Sequence, residues 1–337
     1  MPATGRERSV SGMITLGLIG TGWWGRMLLD SARGSAALRF VHACSRDPAR
    51  GGAVAADYGL RFSTSVAALL ADPEVRGVVI ATPHSTHLAL ICQVAAAGRA
   101  VFCEKPLTLT RADAVAAVEA CAAAGVPLAV GHNRRFLPPI VAMREMIRVG
   151  RLGTLLHVEG HSSNQNSSRN FAPWRHDPAE SPAGGMTGTG VHVIDAFTNL
   201  VGPARRVVTQ FTQAKPPPGA LDSLTVMLEF ACGISGSLAM VRATPRVWRV
   251  HVFGDRANVE TVSETELILR ESGREPEVIR FAPVDTLRAE LEAFAAAAAG
   301  GPAYPAPLDQ MVANVAAFEA IIASLVAGGA PVAVQNG

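Results

Sequence analysis

The stretch that decides the fold of this chain is Ile14-Thr15-Leu16-Gly17-Leu18-Ile19-Gly20-Thr21-Gly22-Trp23-Trp24-Gly25. Its first six residues form an apolar run that predicts a buried strand, and a helix-compatible stretch begins at about Trp24. The glycines form a G-x-G-x-x-G pattern at this junction. The first makes the turn, the second lets a pyrophosphate approach the backbone, and the third allows contact between helix and strand. Because the helix N terminus also offers N–H groups to phosphates, we predict a dinucleotide site formed by Gly20, Gly22, Trp23, Trp24 and Gly25.

Further strands and helices alternate up to about residue 135. Helices are predicted from Asp47-Pro48, over 86–97, and from the capping residue Thr110 to Gly125. Apolar runs predict strands at Leu38–Cys44, Val78–Ala81, Ala100–Cys103 and Leu128–Gly131. Strands that alternate with helices of ten to fifteen residues are typical of a parallel, doubly wound sheet. We therefore predict an α/β dinucleotide-binding domain over residues 13–135.

The second half of the chain is rich in strands. A helix at Ile140–Val149 precedes predicted strands at Thr154–Gly160, Arg206–Phe211, Ser223–Phe230, Ile234–Ala243, Val247–Phe253 and Asn258–Val262. Short turns between long strands favour a large, mostly antiparallel sheet with one open face. We predict an α+β domain over 136–305, loops at the Pro-rich stretches 216–218 and 302–307, and helices at 285–299 and 308–327. The segment 306–337 is expected to pack back on the first domain, and residues 1–12 are expected to be a disordered extension.

The composition argues against several classes of protein. Of 337 residues, 49% are hydrophobic and 17% charged, and the net charge of +2 gives no reason to expect a nucleic-acid or membrane partner. Five scattered cysteines without a C-x-x-C pair, and an N terminus without an apolar signal region, favour a reducing, cytoplasmic location. No histidine or cysteine spacing suggests a metal site. We therefore expect a small-molecule substrate.

The residues after the second predicted strand bear on the choice of cofactor. Where an NAD-specific site places an acid for the ribose hydroxyls, this chain has Ser45-Arg46. An arginine beside a hydroxyl can hold a 2′-phosphate, which favours NADP over NAD. Asp47 leaves the alternative open, either as a shifted acid that serves NAD or as a helix cap.

Three further segments carry chemically useful residues. Thr82-Pro83-His84 through His87 follows one predicted strand, and Glu104-Lys105-Pro106 follows the next, so both are expected at the ligand crevice. The glycine-rich loop from Gly184 to Gly190 enters a helix that carries His192 and Asp195 on one face. A surface ion pair and a structural histidine are the alternative interpretations. The combination instead favours proton transfer at a substrate oxygen.

Together, the motifs G-x-G-x-x-G, A-T-P-x-x-x-H, E-K-P and G-G-x-x-x-x-G-x-H-x-x-D resemble the glucose–fructose oxidoreductase, inositol dehydrogenase and rhizopine-catabolism (Gfo/Idh/MocA) family. The resemblance covers essentially the whole chain. It implies that Lys105 hydrogen-bonds the substrate oxygen and that His192 accepts or donates its proton. It also implies an NAD(P)-dependent hydride transfer to or from a small sugar, polyol or dihydrodiol, and a homodimer or homotetramer formed through the second sheet.

The same resemblance assigns further residues to the site. It places Thr82, Pro83, His84, His87 and Glu104 near the nicotinamide and its ribose. Arg175 is expected at the cofactor, and substrate-side positions are expected at Asn133, Arg135, Trp174 and Asp195.

One position departs from the family pattern. Many sugar and inositol dehydrogenases of the family carry an aspartate four residues before the histidine, and here that residue is Gly188. The missing carboxylate argues against polyol oxidation of the inositol type and leaves room for ketone reduction, dihydrodiol oxidation or a less usual substrate. Two functions of other classes also stay open: a redox-neutral, NAD-dependent glycosidase on the same fold, and a non-catalytic dinucleotide-binding regulator. Net release of reduced cofactor would separate the dehydrogenase from the glycosidase, while the presence of both Lys105 and His192 argues against the regulator.

Overall fold

A computed structural model describes residues 12–165, 172–216 and 219–336 of the chain. The predicted extension 1–12, apart from Gly12, lies outside the described residues. The same is true of Pro217 and Pro218 in the first predicted Pro-rich loop.

The first half of the chain folds into a six-stranded sheet whose neighbouring strands are all parallel. The strands are β1 (Ile14–Ile19), β2 (Leu38–Cys44), β3 (Arg61–Ser63), β4 (Gly77–Ile80), β5 (Ala100–Cys103) and β6 (Leu128–Val130). The helices are α1 (Trp23–Ala32), α2 (Pro48–Asp57), α3 (Val66–Leu70), α4 (His87–Ala96) and α5 (Arg111–Ala123). The strand order β3-β2-β1-β4-β5-β6 confirms the predicted doubly wound sheet. The order reverses between β1 and β4, and ligands bind beyond the carboxyl ends of the strands at such a point.

The second half forms a nine-stranded sheet in the order β14-β13-β12-β11-β7-β10-β9-β8-β15. Its strands are β7 (Leu155–Asn164), β8 (Ala204–Lys215), β9 (Leu221–Phe230), β10 (Ser235–Arg242), β11 (Val247–Gly254), β12 (Ala257–Thr261), β13 (Glu266–Glu271), β14 (Glu277–Arg280) and β15 (Val332–Ala333). Strands β7 and β10 pair in parallel and the other neighbours pair antiparallel, which confirms the predicted mostly antiparallel sheet. The last three strands were not predicted from the sequence.

Helices cover one face of this second sheet. Along β9 and β10 every second residue is buried, because the strands present alternate side chains to the helices and to the open face. The helices are α6 (Pro138–Arg148), α7 (Val191–Val201) and α9 (Leu308–Val326), and their apolar residues share one core with the strands. On the open face of β9, Met227 is 60% exposed. The open face agrees with the prediction.

The last two long helices connect the two halves. Helix α8 (Thr286–Ala298) packs Leu291 and Phe294 into the core of the first sheet, although the sequence-based boundaries placed this segment in the second domain. Helix α9 contributes Met311 and Val315 to the first core and Phe318 and Ile321 to the second. This helix is long and apolar enough to span a membrane, but more than half of its apolar window is buried inside the protein, as is common for a core helix.

Candidate active site

The glycine loop after β1 has the geometry that a phosphate cradle needs. Gly20 has a φ of +103°, and a Cβ on Gly25 would lie 2.1 Å from the carbonyl oxygen of Gly20. A Cβ on Gly22 would have no described heavy atom within 4 Å, so the backbone there faces open space. Because Gly22 caps α1 without a side-chain hydrogen bond, the N terminus of this ten-residue helix is open to an anion.

A cavity of about 1120 Å³ begins at this loop and extends to the second sheet. Most of the predicted site residues line it, although they come from segments far apart in the sequence: Gly22, Trp23, Trp24, Thr82, His84, Glu104, Lys105, Asn133, Trp174, Arg175 and His192. The other predicted residues lie behind or beside the wall. Gly20 and Gly25 shape the turn, and the positions of Ser45, Arg46, Pro83, His87, Arg135 and Asp195 are outside the cavity lining.

Glu104 and Lys105 lie at the end of β5, inside the cavity. Lys105 Nζ donates a hydrogen bond to the carbonyl oxygen of Gly188, at 2.5 Å. Burial lowers the pKa of Lys105 to about 8, and the nearby guanidinium of Arg175 acts in the same direction. Burial raises the pKa of Glu104, while the charge of Lys105 opposes that rise. The lysine can therefore act as a proton donor or a hydrogen-bond donor near neutral pH.

The space for the Glu104 carboxylate depends on a glycine. A Cβ on Gly131, at the end of β6, would lie 2.7 Å from Glu104 Oε1. Since real Cβ atoms do not come this close to other heavy atoms, a larger residue at position 131 would displace the carboxylate.

His192 enters the cavity from the second half of the chain. It lies in the first turn of α7, directly after a wide helical turn at Met186–Gly190 of the π type, which often marks functional sites. The residue is 8% exposed, and Nδ1 of its ring is buried with no hydrogen-bond partner among the residues described. Burial lowers the pKa of His192 well below its ordinary value, and the charges of Lys105 and Arg134 lower it further.

Arg135 and Asp195 form a buried ion pair beneath the cavity. Arg135 donates to both carboxylate oxygens of Asp195 at 2.7–2.9 Å, and also to Gln310 Oε1 and to the carbonyl oxygen of Pro305. Asn314 Nδ2 donates to the same carboxylate at 2.7 Å. Since Arg135 and Asp195 are 6% and 1% exposed, neither is open to a substrate in this structure.

Residues from the second half close one side of the cavity. The guanidinium of Arg175 lies 4.5 Å from the centre of the Trp174 ring, and Trp174 meets His84 edge-to-face at 5.0 Å. His84 Nδ1 hydrogen-bonds the carbonyl oxygen of Glu180 at 2.7 Å, and the Glu180 carboxylate accepts hydrogen bonds from Ser85. These contacts join the second half to the strand end at 82–87.

His87 has a different position from the one expected. The ring is fully buried, with Nδ1 3.0 Å from the carbonyl oxygen of Pro106 and Nε2 3.2 Å from that of Thr82. It links the two strand-end loops and does not line the cavity.

Ser45, Arg46 and Asp47 follow β2 at the edge of the first sheet. Arg46 is exposed, and Asp47 Oδ1 accepts a hydrogen bond from the backbone N–H of Arg50 at 3.0 Å, so it caps α2. Arg50 itself lines the cavity, although it was not predicted as a site residue from the sequence.

Three further residues at the site were missed. His132 follows β6, and the end of a parallel strand was a signal that could have identified it. Arg134 lines the cavity with its guanidinium 4.7 Å from the centre of the Trp248 ring. Glu290 on α8 is fully buried, and neither carboxylate oxygen has a hydrogen-bond partner in the described part of the chain. Burial and the charge of Glu104 raise its pKa well above the ordinary value.

Comparison with known proteins agrees with this geometry. Residues 14–132 match a protein-family model described as "Oxidoreductase family, NAD-binding Rossmann fold", and residues 140–260 match one described as "GFO/IDH/MocA C-terminal domain". Inositol 2-dehydrogenase 2 from Saccharopolyspora erythraea is 30% identical over 333 residues, which are 95% of this chain and 95% of that protein.

Solved structures share the whole fold. An oxidoreductase from Desulfitobacterium hafniense has a TM-score of 0.86 and 27% identity, over 96% of this chain and 98% of that one. Levoglucosan dehydrogenase, in a complex with NADH and levoglucosan, has a TM-score of 0.85 and 21% identity, over 97% of this chain and 100% of that one, and so shows the same fold. With both of its halves matched by the family models, the chain belongs to the Gfo/Idh/MocA family of NAD-binding oxidoreductases.

Proposed function

We propose that this enzyme transfers a hydride between a nicotinamide cofactor and a carbinol or ketone carbon of a sugar, polyol or related small polar molecule. One observation carries the proposal: Lys105 and His192, which come from different halves of the chain, line one cavity that begins at the glycine loop. A relative named as an inositol dehydrogenase, 30% identical over nearly the full length, supports a polyhydroxylated substrate.

The residues at the loop fit a dinucleotide. The open backbone at Gly22 and the uncapped start of α1 would hold the pyrophosphate. The buried carboxylate of Glu104, whose Oε1 has no hydrogen-bond partner in the described ranges, would accept from ribose hydroxyls. When bound, the nicotinamide supplies the hydride acceptor or donor.

Lys105 and His192 would have different roles at the substrate oxygen: one donates a hydrogen bond and the other transfers the proton. Lys105 donates a hydrogen bond to that oxygen, which stabilises the negative charge that develops as the hydroxyl loses its proton. His192, neutral because its pKa is low, accepts the proton in alcohol oxidation and returns it in ketone reduction.

Turnover with a panel of sugars, inositols, sugar lactones and dihydrodiols, each with NAD and with NADP, tests the function through the absorbance of the reduced nicotinamide. Lys105→Met and His192→Asn should each lower kcat by about 10²–10⁴. Lys215→Met is a matched control, because Lys215 lies at the end of β8 outside the cavity lining.

Product without net reduced cofactor would instead indicate redox-neutral chemistry. Cofactor binding without any turnover would indicate a regulator, and normal turnover by His192→Asn would refute the role of that residue.

We also propose NADP as the preferred cofactor. Asp47 is engaged in capping α2, while the exposed Arg46 guanidinium is available to a 2′-phosphate. Arg46→Ala should weaken binding of NADP by about ten- to a hundredfold and binding of NAD much less. Arg50→Ala is the comparison variant, because Arg50 lines the cavity. Equal losses for both cofactors in Arg46→Ala would refute the preference.

We propose, finally, that the open face of the second sheet forms a homodimer or homotetramer, since a broad sheet face with the exposed Met227 suits self-association. Light scattering on the purified protein checks this. A monomer at micromolar concentration would exclude it.

A further inference from the structure

A second buried histidine lies directly against His192. His132 follows β6 and is 4% exposed, and its ring centre is 6.1 Å from that of His192, with the two ring planes nearly perpendicular at 81°. The two residues are far apart in the sequence, so the fold alone brings the rings together. His132 does not line the cavity and so does not touch the substrate.

In each ring of this pair, one nitrogen lacks a hydrogen-bond partner among the described residues. His192 Nδ1 and His132 Nδ1 are both buried, and neither has a hydrogen-bond partner within 12–165, 172–216 and 219–336. A neutral imidazole carries one donor nitrogen and one acceptor nitrogen, and buried polar atoms normally find partners. The ring centres are too far apart for a direct hydrogen bond between the two Nδ1 atoms, but one bridging water satisfies both if one Nδ1 donates and the other accepts.

The outer nitrogen of His132 faces a carboxylate. His132 Nε2 lies 3.8 Å from Asp195 Oδ1, and Asp195 is itself held by Arg135 and Asn314. Because the oxygen of a carboxylate can only accept, this contact favours the tautomer of His132 that is protonated at Nε2. That tautomer leaves His132 Nδ1 as an acceptor.

We propose that His132 is a positioning residue that accepts a hydrogen bond from the Nδ1–H of His192 through one bridging water, while its own Nε2–H points towards the Asp195 carboxylate. The inference rests on the proposed role of His192 as the base. A base that uses Nε2 must carry its resting proton on Nδ1, and this proton needs an acceptor.

The arrangement lets Asp195 act on His192 through an intervening ring. When His192 Nε2 takes the proton of the substrate hydroxyl, the resulting imidazolium is stabilised by the water link from its Nδ1–H to His132 and, beyond that ring, by the charge of the Asp195 carboxylate. Asp195 therefore replaces the carboxylate that Gly188 lacks. Positively charged groups near the pair destabilise the imidazolium: Lys105 and Arg134 act on His192, and Arg135 and Lys105 act on His132. The negative charge of Asp195 opposes them.

The tautomer of His192 can be measured without any turnover. Nitrogen NMR of protein labelled in its histidine rings distinguishes Nδ1–H from Nε2–H, and comparison with His192→Asn assigns the signals. We expect His192 to carry its proton on Nδ1 and His132 on Nε2. A His192 ring protonated on Nε2 in the wild-type protein would overturn the inference, whatever the substrate proves to be. Failure of the substrate panel alone would instead count against the proposed function.

Variants of His132 give the second test. His132→Phe keeps a ring but removes both nitrogens, so kcat should fall by about 10- to 100-fold while the KM for substrate and the Kd for cofactor stay within a few-fold. His132→Gln, whose side-chain amide can both accept and donate, should recover part of the loss. It also keeps the test usable if the phenylalanine variant does not fold.

The matched control is His42→Phe. His42 is also buried and also contacts a carboxylate, Asp72, at 2.8 Å, but it lies in the first sheet away from the cavity lining. This variant should lose stability and keep its kcat and the tautomer of His192. An unchanged kcat in both His132→Phe and His132→Gln would refute the positioning role.

Discussion

Gly188→Asp restores the carboxylate that many relatives carry. Gly188 lies in the helical turn Met186–Gly190 and is not one of the described glycines with positive φ, so its backbone conformation does not itself disfavour a side chain. Its carbonyl oxygen binds Lys105, and it lines the cavity together with His192, four residues further along. An aspartate here is therefore placed close to both groups that the proposed mechanism uses.

The size of the effect follows from the spacing. Residues four apart on a helical stretch have Cβ atoms about 5–6 Å apart. Two unit charges about 6 Å apart interact by about 3 kcal/mol at an effective dielectric constant of about 20, which is about two pH units. The new carboxylate must also be desolvated and is shared with Lys105. We therefore expect the pKa of His192 to rise by about one unit, or about 1.4 kcal/mol.

The assay is the pH dependence of kcat/KM for alcohol oxidation. Because the base must be neutral to act, raising its pKa moves the acidic limb of the profile to higher pH by about one unit. Gly188→Asn is the matched control, since it has the same shape without the charge and should leave the limb in place. A folded Gly188→Asp enzyme with the same limb as wild type would show that the side chain at position 188 does not face His192.

Two further predictions concern the stability and the shape of the site. The pKa of Lys105 is about 8 in the folded protein and about 10.5 in the unfolded chain, so burial of its charge costs stability below pH 8, and that cost disappears as the pH rises towards 10.5. Lys105→Met should thus raise the free energy of unfolding at pH 7 by about 1–3 kcal/mol, and urea titrations should show a smaller gain at pH 10. Gly131→Ala should displace the Glu104 carboxylate and weaken cofactor binding about tenfold or more in calorimetry, whereas Gly125→Ala, at the end of α5, should lower only stability.

The local parts of the site could be predicted from the sequence because their causes are local. The glycine loop at 20–25 is recognisable because its tight turn requires glycine at adjacent positions. Lys105 comes two residues after a buried strand, and the ends of such strands face the crevice. His192 was identified from its glycine-rich approach and from the family pattern.

The remaining parts depend on contacts that no short segment contains. Arg135 and Asp195 were predicted as substrate-binding residues, but they form an ion pair with each other although they lie sixty residues apart in the sequence. The sequence alone suggests that Glu290 is a solvent-exposed charge on an amphipathic helix. The structure shows instead that α8 packs into the first core. Strands β13 and β14 contain only short apolar runs, Leu267–Leu269 and Val278–Ile279, between charged residues at the edge of the sheet, which are too short to predict a strand.

The placement of α8 also has a consequence for how the protein is made. Its residues Leu291 and Phe294 complete the core of the first sheet, yet the ribosome adds them roughly 160 residues after the last strand of that sheet, on the order of ten to thirty seconds later. During that interval the emerging N-terminal half has every strand it needs but still lacks part of its apolar covering. Translation therefore leaves this surface exposed to chaperones, or to a neighbouring nascent chain, until nearly the whole polypeptide has been synthesised.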